Sequence, residues 1–330
     1  SRRYEYDEVG NIEAMIHQAV GNGWRRDYKY ATDSNRLLRT TLPGSSLPGG
    51  ATARWGEYVY DDHGNMEKMP HLEVMEWDFE DQLQATQRQR TINETVTPEK
   101  TYYVYDAGGQ RVRKVTERFS ANGTPTRLRE RIYLGGVEIY REYDGNGIRK
   151  TLERETLHVM DDEQRIALVE TKTIEEKNGV GQEISNPISV FRYQLGNHLG
   201  SACWELDRDG AEISYEEYYP YGSTSYQAGR SGAEVGLKQY RYTGKEKDEE
   251  SGFYYHGARY YACWLGRWTS ADASGIEDGI NLYIYVANNP VIFIDPSGHA
   301  KQKSDSRLAK RRKEWAVLQK IGRASCRERV

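Results

Sequence analysis

Through the first half of the chain, side-chain character alternates with a period of two, as in Tyr58 and Tyr60 set against Glu57 and Val59. One phrase returns there: YEYDEVGNIEAM at Tyr4 to Met15, YVYDDHGNMEKM at Tyr58 to Met69 and YVYDAGGQRVRKV at Tyr103 to Val115. Looser copies lie between, DYKYATDSNRLLR from Asp27, MEWDFEDQLQAT from Met75 and IYREYDGNGIRK from Ile139. Each is an aromatic strand, an acidic turn and a second short strand. The Asp-x-x-Gly-Asn step supplies residues that tolerate left-handed backbone, so every copy predicts one β-hairpin. A lone hairpin is marginal in water, so the copies are expected to pair edge to edge into one long curved sheet. One face carries Tyr, Leu, Ile and Val and the other Arg, Glu, Gln and Thr, which lets such a sheet curve around an interior without a second layer. Thr41 to Thr52, with two Pro-Gly steps, reads as an inserted loop.

The second half changes pattern. Phe191 to Tyr226 predicts a larger aromatic hairpin, and Tyr240 to His299 is the densest aromatic stretch. Alternation in Leu282, Ile284, Val286 and in Val291, Phe293 about Asn288-Asn289-Pro290 predicts a strand, turn and strand over Asn281 to Asp295. Helix signals are weak before the tail. Lys301 to Lys320 holds eight basic residues against Asp305 and Glu314, and Leu308, Trp315 and Leu318 allow a short amphipathic C-terminal helix. A basic helix with one Trp fits membrane or nucleic acid, but a solvated linker into a following domain is the favoured reading. Ile321 to Val330, IGRASCRERV, reads as one frame through a sequencing adaptor and is set aside, which makes Cys326 foreign. The organisation expected is therefore 1–190 repeats, 191–299 a closing core, 300–320 a basic linker opening a missing variable domain, and 321–330 artefact.

Composition narrows the class. The chain has 330 residues with 26 Tyr, 7 Trp and 32 Gly but only 37% hydrophobic residues, which suits thin β-sheets wetted on their faces. A net charge of −4 in a mixed background lacks the basic stripe of a nucleic-acid binder, so no nucleic-acid partner is expected for this region. Cys203, Cys263 and Cys326 have neither the even count of a disulfide framework nor the spacing of a zinc site. The 7 histidines are scattered, and no metal or cofactor is expected. No run approaches the roughly 18 apolar residues that cross a bilayer, and export signals are expected upstream of Ser1.

The phrases TGKEKDEESGFYYHGARYY, LGRWTSAD, NLYIYVANNP and DPSGH, in that order, resemble the Rhs repeat-associated core domain, and the phrases before them resemble YD repeats. The likeness covers Arg3 to about His299. It implies a mainly β fold in which successive hairpins form a spiralling sheet, part of a hollow shell sealed by the core segment. In that family, which spans polymorphic toxins, toxin-complex C components and wall-associated proteins, the shell surrounds a variable C-terminal toxin. The closing segment can act there as an intramolecular aspartyl protease, and the resemblance carries that role onto Arg267, Asp272 and Asp295. Two carboxylates held together cannot both ionise easily, so one keeps a proton while the other activates water. The cut is implied after the Pro296-Ser297-Gly298 turn, near His299, where relatives tend to carry an aliphatic residue.

Plainer readings stand beside these. Asp272 and Asp295 are also ordinary turn residues, and Pro296, Ser297 and Gly298 merely end a strand. His198, Ser201 and Asp207 are triad residue types confined to one short segment, with no nucleophile elbow. Asp161, Asp162 and Glu163 lack the spaced oxygen ligands of a calcium loop and read as a solvated turn. The leading expectation is a secreted or cell-surface scaffold enclosing or presenting its own C-terminal toxin, with further shell or delivery subunits as partners. The alternative is a surface protein that binds glycans or proteins without proteolysis.

Overall fold

The computed structural model describes residues 1–21, 23–42, 54–90, 97–119, 123–161 and 164–304. Most of the loop after Thr41, Asp162 and Glu163, and the tail with Leu308, Trp315, Leu318 and Cys326 lie outside them. Within the described residues the chain is mainly β, in open antiparallel sheets, with one five-residue helix at Gly232–Gly236. Five strands, from Arg2–Tyr6 to Trp55–Glu57, pair in chain order as one sheet. A 13-stranded sheet runs from Leu72–Trp77 to Thr224–Gly229.

The hairpins form because of what sits at their turns. Gly10 has φ +80°, and the Asp7 carboxylate accepts the Asn11 amide at 2.7 Å while the Asp7 carbonyl accepts that of Gly10. The same side-chain bond closes the turns at Asp61 (2.7 Å), Asp106 (3.0 Å) and Asp207 (2.9 Å). An aspartate that satisfies amides the ladder leaves bare turns the chain, and a left-handed glycine lets it return.

The wall is not one uninterrupted sheet. Between the two large sheets lies a short pair, Val59–Tyr60 with Met66–Lys68, joined onward by a single bridge from Met69 to Leu72. Pro70 sits at that break and has no N–H to give a ladder. Phe191 to Tyr226 is likewise not one hairpin, because four consecutive strands span Ser189 to Gly229. Ladder pairing of Ala167–Thr171 with Ser189–Tyr193 carries the large sheet across residue 190.

The segment from Tyr240 to Ser304 packs against both sheets. Its Tyr242, Tyr254, Tyr261, Trp268 and Tyr285 share one buried cluster with Ile12, Met15, Leu37, Met75 and Leu83 of the walls. Over strands Arg111–Phe119 to Glu212–Tyr218 the wall's inner face is charged rather than apolar. Arg111, Lys114, Arg131, Glu138, Arg192 and Glu205 are buried there. The reason lies opposite: Glu246, Asp248 and Glu250 of the Tyr240 to Ser304 segment meet Arg111 at 2.6 Å and Lys114 at 2.8 and 3.1 Å.

Of the strand, turn and strand expected over Asn281 to Asp295 only the second strand forms, at Phe293–Ile294, and it pairs with Gln302–Lys303. Ile284 makes only an isolated bridge to Arg267, and Val286, Ala287 and Asn288 follow with φ of +44°, +53° and +57°. Three consecutive left-handed residues without glycine are unfavourable by themselves. Tertiary contacts impose them. The Asn288 amide donates to the Gly10 carbonyl at 2.8 Å and accepts from the Tyr221 hydroxyl at 3.0 Å, while Tyr285 stacks on Tyr261 with ring centres 4.0 Å apart.

Candidate functional site

Two aspartates far apart in sequence meet one guanidinium. Asp272 follows the strand Arg267–Trp268, and its Oδ2 lies 2.7 Å from Arg259 Nη1; Asp295 follows Phe293–Ile294, and its Oδ2 lies 3.5 Å from Arg259 Nη2. All three residues are largely buried, and the guanidinium also lies 4.3 Å over the Trp268 ring. Asp295 Oδ1 accepts the Gly298 amide at 2.8 Å and the Ser297 amide at 3.3 Å, so this carboxylate folds the Asp-Pro-Ser-Gly turn around itself. Burial raises the Asp295 pKa above its ordinary value, against the lowering effects of Arg259 and the two amides.

The turn is gripped along its whole length. The carbonyl of Asp295 accepts from His256 Nδ1 at 2.6 Å, that of Pro296 from Lys245 Nζ at 2.5 Å, that of Ser297 from the Ala258 amide at 2.9 Å, and that of Gly298 from Arg259 Nε at 2.5 Å. Close approach of two backbones makes this fit, because a Cβ at Gly257 would lie 2.9 Å from the Ser297 carbonyl oxygen. His299 is exposed, and its amide donates to Ser297 Oγ at 3.4 Å. A cavity of about 760 Å³ opens on Ser297, Gly298 and His299, and a smaller one of about 330 Å³ opens on Asp272 and Asp295.

Arg267 stands elsewhere. It is buried, donates to the Asn35 carbonyl at 2.6 Å and lies over the rings of Tyr30 and Tyr283 at 5.1 and 4.8 Å. Among the groups gathered at the two aspartates, Arg259, His256 and Lys245 escaped the sequence reading. All three lie inside TGKEKDEESGFYYHGARYY, and the signal available was the His-Gly-Ala-Arg step, where a glycine between large residues marks a close backbone approach. The other residue sets stay apart. His198 Nε2 lies 3.0 Å from the Val291 carbonyl, Ser201 Oγ accepts the Thr243 amide, and Asp207 closes its own turn. Cys203 and Cys263 are free thiols.

No family model matches the chain. Its curated relatives include toxin subunits. The chain is 33% identical over 306 residues to toxin subunit YenC1 of Yersinia entomophaga, a match covering 91% of this chain and 29% of that protein. It is 27% identical over 304 residues to the tRNA nuclease WapA of Bacillus subtilis (strain 168), covering 88% of this chain and 12% of WapA. Among solved structures it is similar to the crystal structure of TcdB2-TccC3-TEV, with a TM-score of 0.73 and 30% identity over 90% of this chain and 13% of that one. The chain thus spans less than a third of the length of either of these two relatives. Among the described residues no helix is long and apolar enough to cross a membrane.

Proposed function

We propose that this chain is the closing end of an Rhs-type shell, which encloses a C-terminal toxin and cuts itself beside that cargo at the Gly298–His299 bond. The whole protein is read as exported and as assembling with further shell or delivery subunits, in line with its likeness to a toxin subunit and to the TcdB2-TccC3-TEV structure. One observation carries the proteolytic part: the Gly298 carbonyl rests on Arg259, the same guanidinium that holds Asp272 and Asp295.

The chemistry follows from that arrangement. Asp272 takes a proton from a water molecule, whose oxygen bonds to the Gly298 carbonyl carbon. Arg259 stabilises the negative charge that grows on the carbonyl oxygen, as preorganised donors do in acyl transfer. Asp295, the carboxyl that burial inclines to keep its proton, gives it to the His299 nitrogen as the carbon–nitrogen bond breaks. Gly298 is left with a carboxyl group and His299 with an amine. Arg259 takes the place beside the carboxylates that the sequence reading gave to Arg267.

The test is expression of the full-length protein beside its Asp272→Asn and Asp295→Asn forms, read by denaturing gel and intact mass. The parent should appear as two pieces ending at Gly298 and starting at His299, and both variants as one. An intact parent overturns the reading.

A further inference from the structure

We infer that His256 and Lys245 are positioning residues for this cleavage, holding the Asp295 and Pro296 carbonyls so that the Asp295 carboxyl and the Gly298 carbonyl stay aligned on Arg259. The inference rests on the cleavage reading and extends it to two residues that bind the backbone of the turn.

The argument starts from the backbone. A turn at the end of a strand ordinarily leaves its carbonyls to water or to its own ladder. Here all four carbonyls from Asp295 to Gly298 are taken by residues of one earlier stretch, Lys245 to Arg259. The turn is held as a bound peptide is held, and a reacting group fixed beforehand removes the entropy of finding its geometry.

His256 fits a positioning role better than a packing one. Its ring is fully buried, edge-on to Tyr261, Trp268 and Tyr285 at 5.9, 5.1 and 5.9 Å. Phenylalanine would fill such a box equally well. What only a nitrogen supplies is the bond to the Asp295 carbonyl, in which Nδ1 is the donor because a carbonyl only accepts. The ring is therefore the Nδ1–H tautomer. Its Nε2 is buried without a hydrogen-bond partner, so a second proton there would have no acceptor. Burial, together with the charges of Lys245 and Arg259, holds the ring neutral. Asp295 is thus fixed at both ends, by His256 on its carbonyl and by Arg259, Gly298 and Ser297 on its carboxylate.

Lys245 completes the hold one residue on, and its partner is the carbonyl of Pro296, a residue with no N–H of its own to anchor it.

The experiment follows the rate of processing in cell-free synthesis of the full-length protein, with thermal unfolding of each product measured alongside. His256→Phe and Lys245→Met should slow the cut by about tenfold or more while melting near the parent. His256→Asn and Lys245→Arg, which restore a donor at similar reach, should regain most of the rate. A His256→Phe form that cuts at the parental rate, or an asparagine form no faster than it, overturns the role of His256. The lysine pair decides for Lys245 in the same way, and stands alone if His256→Phe fails to fold. A parent that never cuts removes the cleavage reading and this inference with it, whereas a cutting parent beside an equally fast His256→Phe removes the His256 part alone.

Discussion

At Gly298 the backbone has φ +80°, and a Cβ there would stand 2.8 Å from the Arg259 amide nitrogen. Gly210 has nearly the same angle, +79°, but nothing within 4 Å of such a Cβ. The pair separates two costs. Gly210→Ala should lose about 1–2 kcal/mol, the penalty of a left-handed backbone carrying a side chain. Gly298→Ala should lose about 1–3 kcal/mol more from the forced contact, and should abolish processing because the turn must leave Arg259. Urea unfolding of both variants checks the first statement and a denaturing gel the second. Equal losses would show that the turn yields freely. A second contrast separates the two arginines. Arg259→Lys keeps a charge but loses the fork that reaches Asp272, Asp295 and the Gly298 carbonyl together, so it should stop the cut. Arg267→Lys should leave processing in place and lower the melting temperature, since its guanidinium serves Asn35, Tyr30 and Tyr283. The family resemblance carried the role onto Arg267, which shares the LGRWTSAD motif with Asp272. Successive side chains of a strand point to opposite faces, and in Arg267–Trp268 it is Trp268 that turns toward Arg259. The aspartates and their turn were legible in short motifs; their cationic partner, set by the fold, was not.

Among the elements, the hairpins were the most legible part, because a turn aspartate or asparagine, a left-handed residue and a two-residue alternation decide most of them locally. What lies on their inner face was not. Glu246, Asp248 and Glu250 occupy every second position and all turn to the wall, where Arg111 and Lys114 are buried. Local pattern shows the period but not the opposing cations, which come from more than 130 residues earlier, as the span from Lys114 to Glu250 shows. Asn281 to Asp295 misled for the same reason, since its left-handed turn is imposed by Gly10 and Tyr221. The ionic interface has a pH signature. Burial alone would raise the Glu250 carboxyl, but Lys114 and Arg129 outweigh it and bring its pKa to about 2. A depressed folded value means that the stabilisation is present above the unfolded value of about 4.3 and is lost as pH falls toward 2. Urea midpoints should therefore drop over that window, and the drop should shrink in Glu250→Gln. An unchanged acid profile in that variant would remove Glu250 from the account. Asp248→Asn leaves both Arg111 and Lys114 short of a buried counter-charge and should lose about 3–5 kcal/mol.

Taken whole, the molecule is two walls held by a wedge. On the N-terminal sheet the wedge makes polar bonds from Asn281 to Asn11 at 2.7 Å and from Arg267 to the Asn35 carbonyl at 2.6 Å, and on the short pair after it from Tyr283 to the Gly64 carbonyl at 2.9 Å. On the large sheet it is held by Arg111 and by Tyr105, whose hydroxyl lies 2.8 Å from that of Tyr260. The walls touch each other directly, as where Tyr6 meets Tyr221 at 2.8 Å, but their apolar residues share one cluster chiefly with the wedge. Removing the wedge would leave Ile12, Met15, Leu37, Met75 and Leu83 facing water and Arg111 and Lys114 without their acidic partners. Each wall would then be a single sheet with no cover on the face it normally buries, and a sheet needs such a face packed to be stable alone. A chain of residues 1–304 should accordingly unfold in one cooperative transition, with fluorescence and far-ultraviolet circular dichroism coinciding. A chain ending at Gly229 should keep strand signal but bind a hydrophobic dye and melt over a broad range. If the shorter chain melted as sharply as the longer one, the walls would be self-sufficient, and the segment from Tyr240 to Ser304 would rest on them rather than hold them together.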